Sequence, residues 1–295
     1  MKIGYVLFER FHQRRNIGSS RIRGHWMIEE LNKIKGVEAE CFIQGKDYDV
    51  VVYQKAYWKE HAKEFKGLKI LDICDPDWLD GAEIVSFLQH INIVITSSNK
   101  LRDEIGKFTD KPVYFIDDGI KDIEERKKHK GRAKTLCWFG YSGNFSLIEP
   151  ALLKVKKLGL TLRLISDGNF TSSICKIENI KWDAETVNEM IKECDMCLLP
   201  DGMSGRFMYK SQNKTYQSWA LGIPVIKTPD QMEKWMDGEE REKESKRCYK
   251  EVKNNLVKYR AKELLDIIKL QDSFKIITSD GLYDRVILER PGVKF

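Results

Sequence analysis

Two lysines and an asparagine surround the predicted start of a short helix. Residues 214–221 are good helix formers, and Gly222 occupies the position at which glycine commonly ends a helix. Lys210, Asn213 and Lys214 lie just before or within the first turn, where free backbone N–H groups and the helix dipole favour an anion. The segment therefore predicts an anion-binding loop at the entrance of this helix.

Arg206 adds a third basic residue to the same entrance. It belongs to the glycine-containing loop 201–206, which runs into Lys210 and Lys214. Any one of these cations could simply keep the surface soluble, but three that converge on one helix start favour a binding site for an anion. Gln217, within the helix, adds a side chain that can both donate to and accept from a hydroxyl.

A glycine-rich turn follows a predicted strand at 135–139. Gly140 and Gly143 allow the backbone to approach a phosphate or a sugar, and Ser142 and Asn144 can complete such a contact. Turns between strands and helices also need glycine for ordinary geometric reasons, so this turn alone is weak evidence. We predict that it contributes to a ligand site because it opens the second half of the chain.

A basic loop lies between the first predicted strand and the first predicted helix, at 20–35. Arg21 and Arg23 provide planar, permanently charged donors suited to phosphate. Loops at the carboxyl ends of parallel strands lead into ligand clefts. Ser19 and Ser20 are small polar residues at the same place, and either is a suitable N-cap. The alternative interpretation is a capped amphipathic helix with surface arginines.

Candidate acid–base residues are few. Asp75 and Asp77 follow a predicted strand at 69–73 and could accept a proton from an acceptor hydroxyl, although Asp75-Pro76-Asp77 also resembles an ordinary turn. His90 precedes the predicted strand 91–96, and a structural role is favoured for it. No spacing indicates a zinc site, a P-loop or a Ser-His-Asp triad, so no metal is predicted.

Strands and helices alternate along both halves of the chain, which is typical of an α/β fold with parallel sheets. A charged segment separates the halves. We predict an amino-terminal Rossmann-like domain at 1–125 and a linker with some helix at 126–134. A second Rossmann-like domain follows at 135–272, and its charged end from residue 230 onward is predicted to be helical. The last segment, 273–295, is an extension with a strand-like pattern. The predicted strands are 2–8, 38–43, 50–54, 69–73, 91–96, 113–116, 135–139, 160–166, 179–182, 196–199 and 225–226.

Composition agrees with a two-domain globular protein. The chain has 295 residues, of which 42% are hydrophobic and 33% charged. No apolar run is long enough to cross a membrane, and a cytoplasmic location is the default expectation. The seven cysteines form no disulfide framework, and Cys194 and Cys197 straddle an apparent helix end and strand start, so reduced, packed thiols are expected.

The sequence Ala220-Leu221-Gly222-Ile223-Pro224-Val225 resembles a motif of sugar-nucleotide-dependent glycosyltransferases of the GT-B fold, in particular the retaining, group 1-like enzymes. The resemblance implies two Rossmann-like domains that face a cleft, with this helix against the ribose, diphosphate and sugar of the donor. It also implies that Trp182 lies near the nucleobase, unless it is a core residue. The family's glutamate pair is replaced by Tyr209 and Gln217, which leaves retention of anomeric configuration open.

The expected function is metal-independent transfer of a sugar from a nucleotide-diphosphate sugar to an acceptor hydroxyl, with no further cofactor. The oligomeric state and the acceptor are not predicted. Arg10, Arg14 and Arg15 make DNA with hydroxymethylated bases one candidate acceptor. A carbohydrate, a lipid-linked sugar and a small molecule are acceptors that the sequence favours at least as much. The alternatives are a catalytically silent GT-B-like protein that binds a nucleotide or nucleic acid, and another enzyme on this scaffold such as a sugar-nucleotide epimerase.

Overall fold

The computed structural model describes residues 1–12 and 17–279. Arg14 and Arg15, and the predicted extension beyond residue 279, lie outside these residues. The two halves of the chain form two parallel sheets, as the α/β prediction requires.

Six strands of the first half pair in the order β2-β1-β3-β4-β5-β6, all parallel. Isoleucine, valine and leucine fill β3, β4 and β5 because both faces of this sheet are covered. The strand order reverses between β1 and β3, because β2 lies on one side of β1 and strands β3 to β6 lie on the other. The strands are β1 Lys2–Leu7, β2 Glu38–Cys41, β3 Val50–Gln54, β4 Leu68–Ile73, β5 Ile93–Thr96 and β6 Val113–Phe115.

Five strands of the second half pair in the order β11-β10-β7-β8-β9, again all parallel. Here the reversal lies between β7 and β10. All eleven predicted strands are therefore confirmed, with ends shifted by at most two residues. The strands are β7 Thr135–Gly140, β8 Thr161–Ser166, β9 Ile177–Lys181, β10 Met196–Leu198 and β11 Val225–Ile226.

Helices connect the strands on both faces of each sheet. The first helical stretch, over residues 18–31, contains a π-helical turn at Arg21–His25, a distortion that is frequent at functional sites. The α-helices are α1 Gly18–Ser20, α2 Trp26–Leu31, α3 Lys59–Glu64, α4 Ile84–Leu88, α5 Asn99–Ile105, α6 Leu152–Leu158, α7 Val187–Lys192, α8 Asn213–Ala220, α9 Gln231–Lys234, α10 Gly238–Glu251 and α11 Val257–Ser279. The 3-10 turns are Phe8–Phe11, Asp77–Asp80, Ser142–Leu147, Glu149–Ala151, Gly205–Tyr209 and Val252–Asn254.

The carboxyl-terminal helix returns to the first domain. Val257, Leu264, Leu265 and Ile268 of α11 are buried in the same core as β1, β3, β4 and β5. Residues 257–272, which the sequence analysis assigns to the second domain, therefore pack on the first. The helix continues unbroken to Ser279, so the strand-like pattern expected from residue 273 onward is wrong over 273–279.

Two local predictions are also corrected. The segment 121–134 contains no helix, because its polar groups bind the second domain instead: Arg126 pairs with Glu242, and His129 Nε2 lies 2.9 Å from Gly222 O. The helix after β1 begins at Gly18 without a side-chain cap, so neither Ser19 nor Ser20 is its N-cap.

Candidate functional site

A cleft of about 710 Å³ lies where the carboxyl ends of the two sheets meet. This volume is that of a typical small-molecule site. Parallel sheets bind ligands at the point where strand order reverses, and the reversal between β7 and β10 opens directly into this cleft. Seven of the predicted site residues line it: Ser19, Arg23, Asp75, Asn144, Lys210, Asn213 and Lys214.

Lys214 occupies an unusual electrostatic position in the cleft. Its ammonium lies 5.1 Å from the centre of the Trp138 ring, and no carboxylate of the described residues pairs with it. Burial, followed by repulsion from Lys210 and Lys227, lowers the pKa of Lys214 from 10.5 to about 8. A positive charge held this way is satisfied by an anionic ligand.

Gly140 makes room for this ammonium at the end of β7. Its φ is 145°, and a Cβ built there would lie 2.5 Å from Lys214 Nζ. The sequence analysis assigns Gly140 a close approach to phosphate or sugar. The structure instead shows that the glycine admits the lysine that faces the cleft.

The other basic residues near this helix already have partners. Lys210 Nζ lies 2.7 Å from Asp75 Oδ1, across the cleft. Arg206 pairs with Asp80, also in the first domain, and does not line the cavity, so its predicted place at the donor diphosphate is not observed.

Lys227 is a cleft residue that the sequence analysis missed. It follows β11 directly and contacts Asp201 Oδ1 at 2.8 Å and Gln212 Oε1 at 3.2 Å. Its position at the carboxyl end of a parallel strand could have indicated that it lies in the cleft.

Of the two uncharged polar side chains of helix α8 that were predicted to contact a ligand, one faces the cleft and the other faces α7. Asn213 lines the cleft and donates to Gly119 O of the first domain at 3.3 Å. Gln217 instead donates to Asn188 Oδ1 at 2.8 Å and does not line the cavity. Gln217 is thus engaged with α7, and its contact with a donor stays a prediction.

The glycine-rich turn presents two of its residues to the cleft. Asn144 and Tyr141 line the cavity, and Tyr141 is 58% exposed. Ser142 does not, because its N–H donates to Asp167 Oδ1 at 2.8 Å, and Gly143 lies under the Tyr141 ring. Tyr141 was not predicted, since an aromatic residue in a turn carries no signal by itself.

The arginine loop is mainly structural. Arg23 is buried, with Nε 2.6 Å from Asp72 Oδ1 and Nη1 2.8 Å from Asp118 Oδ1. Burial opposes its charge, but the two carboxylates outweigh this and keep the pKa of Arg23 above its ordinary value. Ser20 is also buried and donates to Gln54 Oε1 at 3.1 Å. Both side chains are engaged within the first domain, and their contact with a ligand phosphate stays a prediction.

Arg21 and Trp182 meet across the two domains. The Arg21 guanidinium lies 5.2 Å from the centre of the Trp182 ring, a distance at which cation–π attraction operates. Trp182 also packs partly against the core of the second domain, and neither residue lines the large cavity. The role of Trp182 at a nucleobase stays a prediction.

The three candidate acid–base residues occupy different environments. Asp75 lines the cleft between Lys210 and Lys55. Burial would raise its pKa, but the two lysines outweigh burial and lower it. Asp77 is turned inward, where it accepts from Tyr57 OH at 2.7 Å and pairs with Lys55. His90 precedes β5 at the amino edge of the sheet, opposite the cleft, so it is not placed for catalysis.

Among residues 1–12 and 17–279, no cluster of histidine, cysteine and carboxylate side chains is arranged to hold a metal ion. The helices in this part of the chain include none with the length and apolar character needed to span a membrane.

Similar folds occur in solved glycosyltransferase structures. One is an alpha-glucosyltransferase in complex with UDP-glucose and DNA containing an abasic site, with a TM-score of 0.64 and 11% identity over 91% of this chain and 99% of that one. Another is the DNA-modifying enzyme beta-glucosyltransferase, with a TM-score of 0.50 and 13% identity over 93% of this chain and 98% of that one. TarM matches with a TM-score of 0.56 and 12% identity over 74% of this chain, which spans only 54% of the TarM chain.

No protein-family model and no curated protein sequence matches the chain. The structural similarity therefore establishes the fold, and the fold is GT-B.

Proposed function

We propose that this protein is a glycosyltransferase that binds a nucleotide-diphosphate sugar in the cleft. The observation that carries the proposal is the ammonium of Lys214, which has no carboxylate partner among the described residues and faces the cavity at the entrance of helix α8. A diphosphate supplies the missing negative charge, and the free N–H groups of the first helical turn add donors.

The arrangement supports metal-independent chemistry. When a sugar is transferred, the acceptor hydroxyl gives up its proton to a base and its oxygen bonds to the anomeric carbon. The bond between that carbon and the diphosphate oxygen breaks, and negative charge develops on the leaving nucleotide. Lys214, and Lys210 beside it, are placed to stabilise that charge. Asn144 and Tyr141 lie on the same side of the cleft, where they can contact the sugar. In this arrangement the acceptor hydroxyl reaches the sugar from the first-domain side of the cleft, which Asp75 and Ser97 line.

DNA is the acceptor class that we favour for testing first. The supporting observation is length: the chain aligns almost end to end with two glucosyltransferases described with DNA or as DNA-modifying, whereas it spans about half of TarM. The same similarity makes UDP-glucose the first donor to test.

Donor binding is tested by calorimetric titration with UDP, GDP and ADP in the presence of EDTA. We expect one of them to bind, and Lys214→Met to weaken that binding. Loss of a charge-assisted contact costs about 1.5–3 kcal/mol, which corresponds to roughly a 10- to 150-fold rise in Kd.

The matched control is Lys157→Met, which removes an equal charge from an exposed side chain on α6. It should leave the Kd unchanged. If the wild-type protein binds none of the nucleotides, or if Lys214→Met binds them normally, the donor site is wrongly assigned.

Acceptor specificity is tested by incubating the protein with UDP-glucose and duplex DNA, with and without 5-hydroxymethylcytosine, and by measuring the mass of the digested nucleosides. A hexose added only to the hydroxymethylated base supports the DNA-modifying function. Donor binding without transfer to this DNA would exclude it as the acceptor and leave the donor site intact.

A further inference from the structure

Asp75 is held between two lysines that belong to different domains. Its Oδ2 lies 2.6 Å from Lys55 Nζ, within the first domain, and its Oδ1 lies 2.7 Å from Lys210 Nζ, in the second. Asp75 and Lys210 both line the cleft. One ion pair therefore bridges the proposed donor side and the acceptor side of the cleft.

The two lysines, Lys55 and Lys210, differ in how firmly the structure holds them in place. The Lys55 side chain is 10% exposed and also contacts Asp77 Oδ1 at 3.1 Å. Its backbone has a φ of 50°, the left-handed region that side-chain-bearing residues seldom adopt, and its N–H donates to Asp72 O at 2.9 Å. Lys55 is therefore fixed in place by the fold.

Lys210, in contrast, is free to exchange partners. Its side chain is 44% exposed, and it lies in extended backbone between a 3-10 turn and helix α8. It is also close enough to Lys214 that its charge contributes to lowering the pKa of Lys214. A dianion bound beside Lys214 consequently attracts Lys210 as well, in competition with Asp75.

We propose that the donor diphosphate takes Lys210 from Asp75 and so exposes Asp75 Oδ1 to the acceptor side of the cleft. This inference rests on the proposed function. Without donor, each oxygen of the carboxylate is paired with a lysine. With donor, Lys55 still orients it, and Oδ1 is open to accept a hydrogen bond from an acceptor hydroxyl. Donor binding thus precedes productive binding of the acceptor.

The competition has a measurable consequence for nucleotide affinity. Replacing Asp75 removes the competitor for Lys210, so Asp75→Asn should bind the nucleoside diphosphate more tightly than the wild type. A partly exposed ion pair contributes little, and we expect roughly a two- to five-fold lower Kd. Lys55 retains Asp77 as its partner in this variant. If Asp75→Asn does not fold, Asp75→Ala is measured in the same way.

A double-mutant cycle separates the effect of the Asp75–Lys210 pair from the general effect of removing a negative charge from the cleft. In a Lys210→Met background, Asp75→Asn should no longer tighten binding. Asp80→Asn is the matched control, because Asp80 also pairs across the domains, with Arg206, but outside the cavity. It should leave the Kd unchanged. The probe is UDP, or whichever of UDP, GDP and ADP binds the wild type, measured by calorimetry.

The outcomes are distinct. Tighter binding by Asp75→Asn that disappears in the Lys210→Met background supports the proposal. Unchanged or weaker binding, equal tightening in both backgrounds, or equal tightening by Asp80→Asn overturns it. Failure of the wild type to bind any of the nucleotides would instead overturn the proposed function on which it rests.

Discussion

Replacing Lys214 by methionine is expected to stabilise the protein in the absence of ligand, although it damages the proposed donor site. The pKa of this lysine falls from 10.5 to about 8 in the folded state. At about 1.4 kcal/mol for each tenfold change in the proton affinity, this difference sets a ceiling of about 3.5 kcal/mol. Because the side chain faces an open cleft, solvent screening reduces this value, and we expect about 1–2 kcal/mol.

The pH dependence of the gain in stability of Lys214→Met identifies its cause. Below pH 8 the lysine is charged in both the folded and unfolded states, so the full cost of its charge is present. Between pH 8 and 10.5 it loses its proton first in the folded state, and the cost disappears. Methionine preserves the apolar contact with Trp138. The advantage of Lys214→Met over wild type should therefore shrink toward zero by about pH 10.5.

Urea unfolding at pH 7 and at pH 10.5, without nucleotide, measures both quantities. Lys157→Met, which removes an exposed charge on α6, should change the free energy of unfolding little at either pH. The reasoning is refuted if Lys214→Met is less stable than wild type at pH 7, or if its advantage is the same at both pH values.

Two further substitutions test the surroundings of the cleft. Gly140→Ala places a Cβ 2.5 Å from the Lys214 ammonium at a φ of 145°, so it should weaken nucleotide binding in calorimetry, whereas Gly159→Ala, which strains the backbone but meets no neighbour, should not. Arg23→Met leaves two buried carboxylates without their cation and should cost about 3–5 kcal/mol in urea unfolding. The exposed pair of Arg102 offers the comparison, and Arg102→Met should cost at most about 1 kcal/mol.

The strands were predictable because their signal is local. Parallel strands that are covered on both faces need continuous apolar residues, as in Val50–Gln54 and Ile93–Thr96, and polar turns end each of them. Gly222 was predictable for the same reason: its φ of 75° is the left-handed conformation that ends a helix. Helices α3 and α4 are short and were not located, since five or six residues give too little periodicity.

The partners of the charged side chains were much harder to predict. Arg23 and Arg206 have the residue type and position of phosphate ligands, yet each is paired with a carboxylate far away in the sequence: Arg23 with Asp118, and Arg206 with Asp80. Sequence position indicates that a side chain is near the cleft. It does not indicate which opposite charge reaches it, because that depends on how distant segments fold together within one domain, as for Arg23, or on how two separate sheets face each other, as for Arg206.

Charge balance gives the cleft a particular requirement for its ligand. Lys210 and Lys227 are each matched by an aspartate, whereas Lys214 has no carboxylate partner among residues 1–12 and 17–279. A monoanion would satisfy Lys214 without disturbing the pairs. A nucleoside diphosphate carries more negative charge than one lysine can neutralise, so it must draw on a paired lysine, and Lys210 is the more exposed of the two. The excess charge of the diphosphate is thus what couples the donor side of the cleft to Asp75 on the acceptor side.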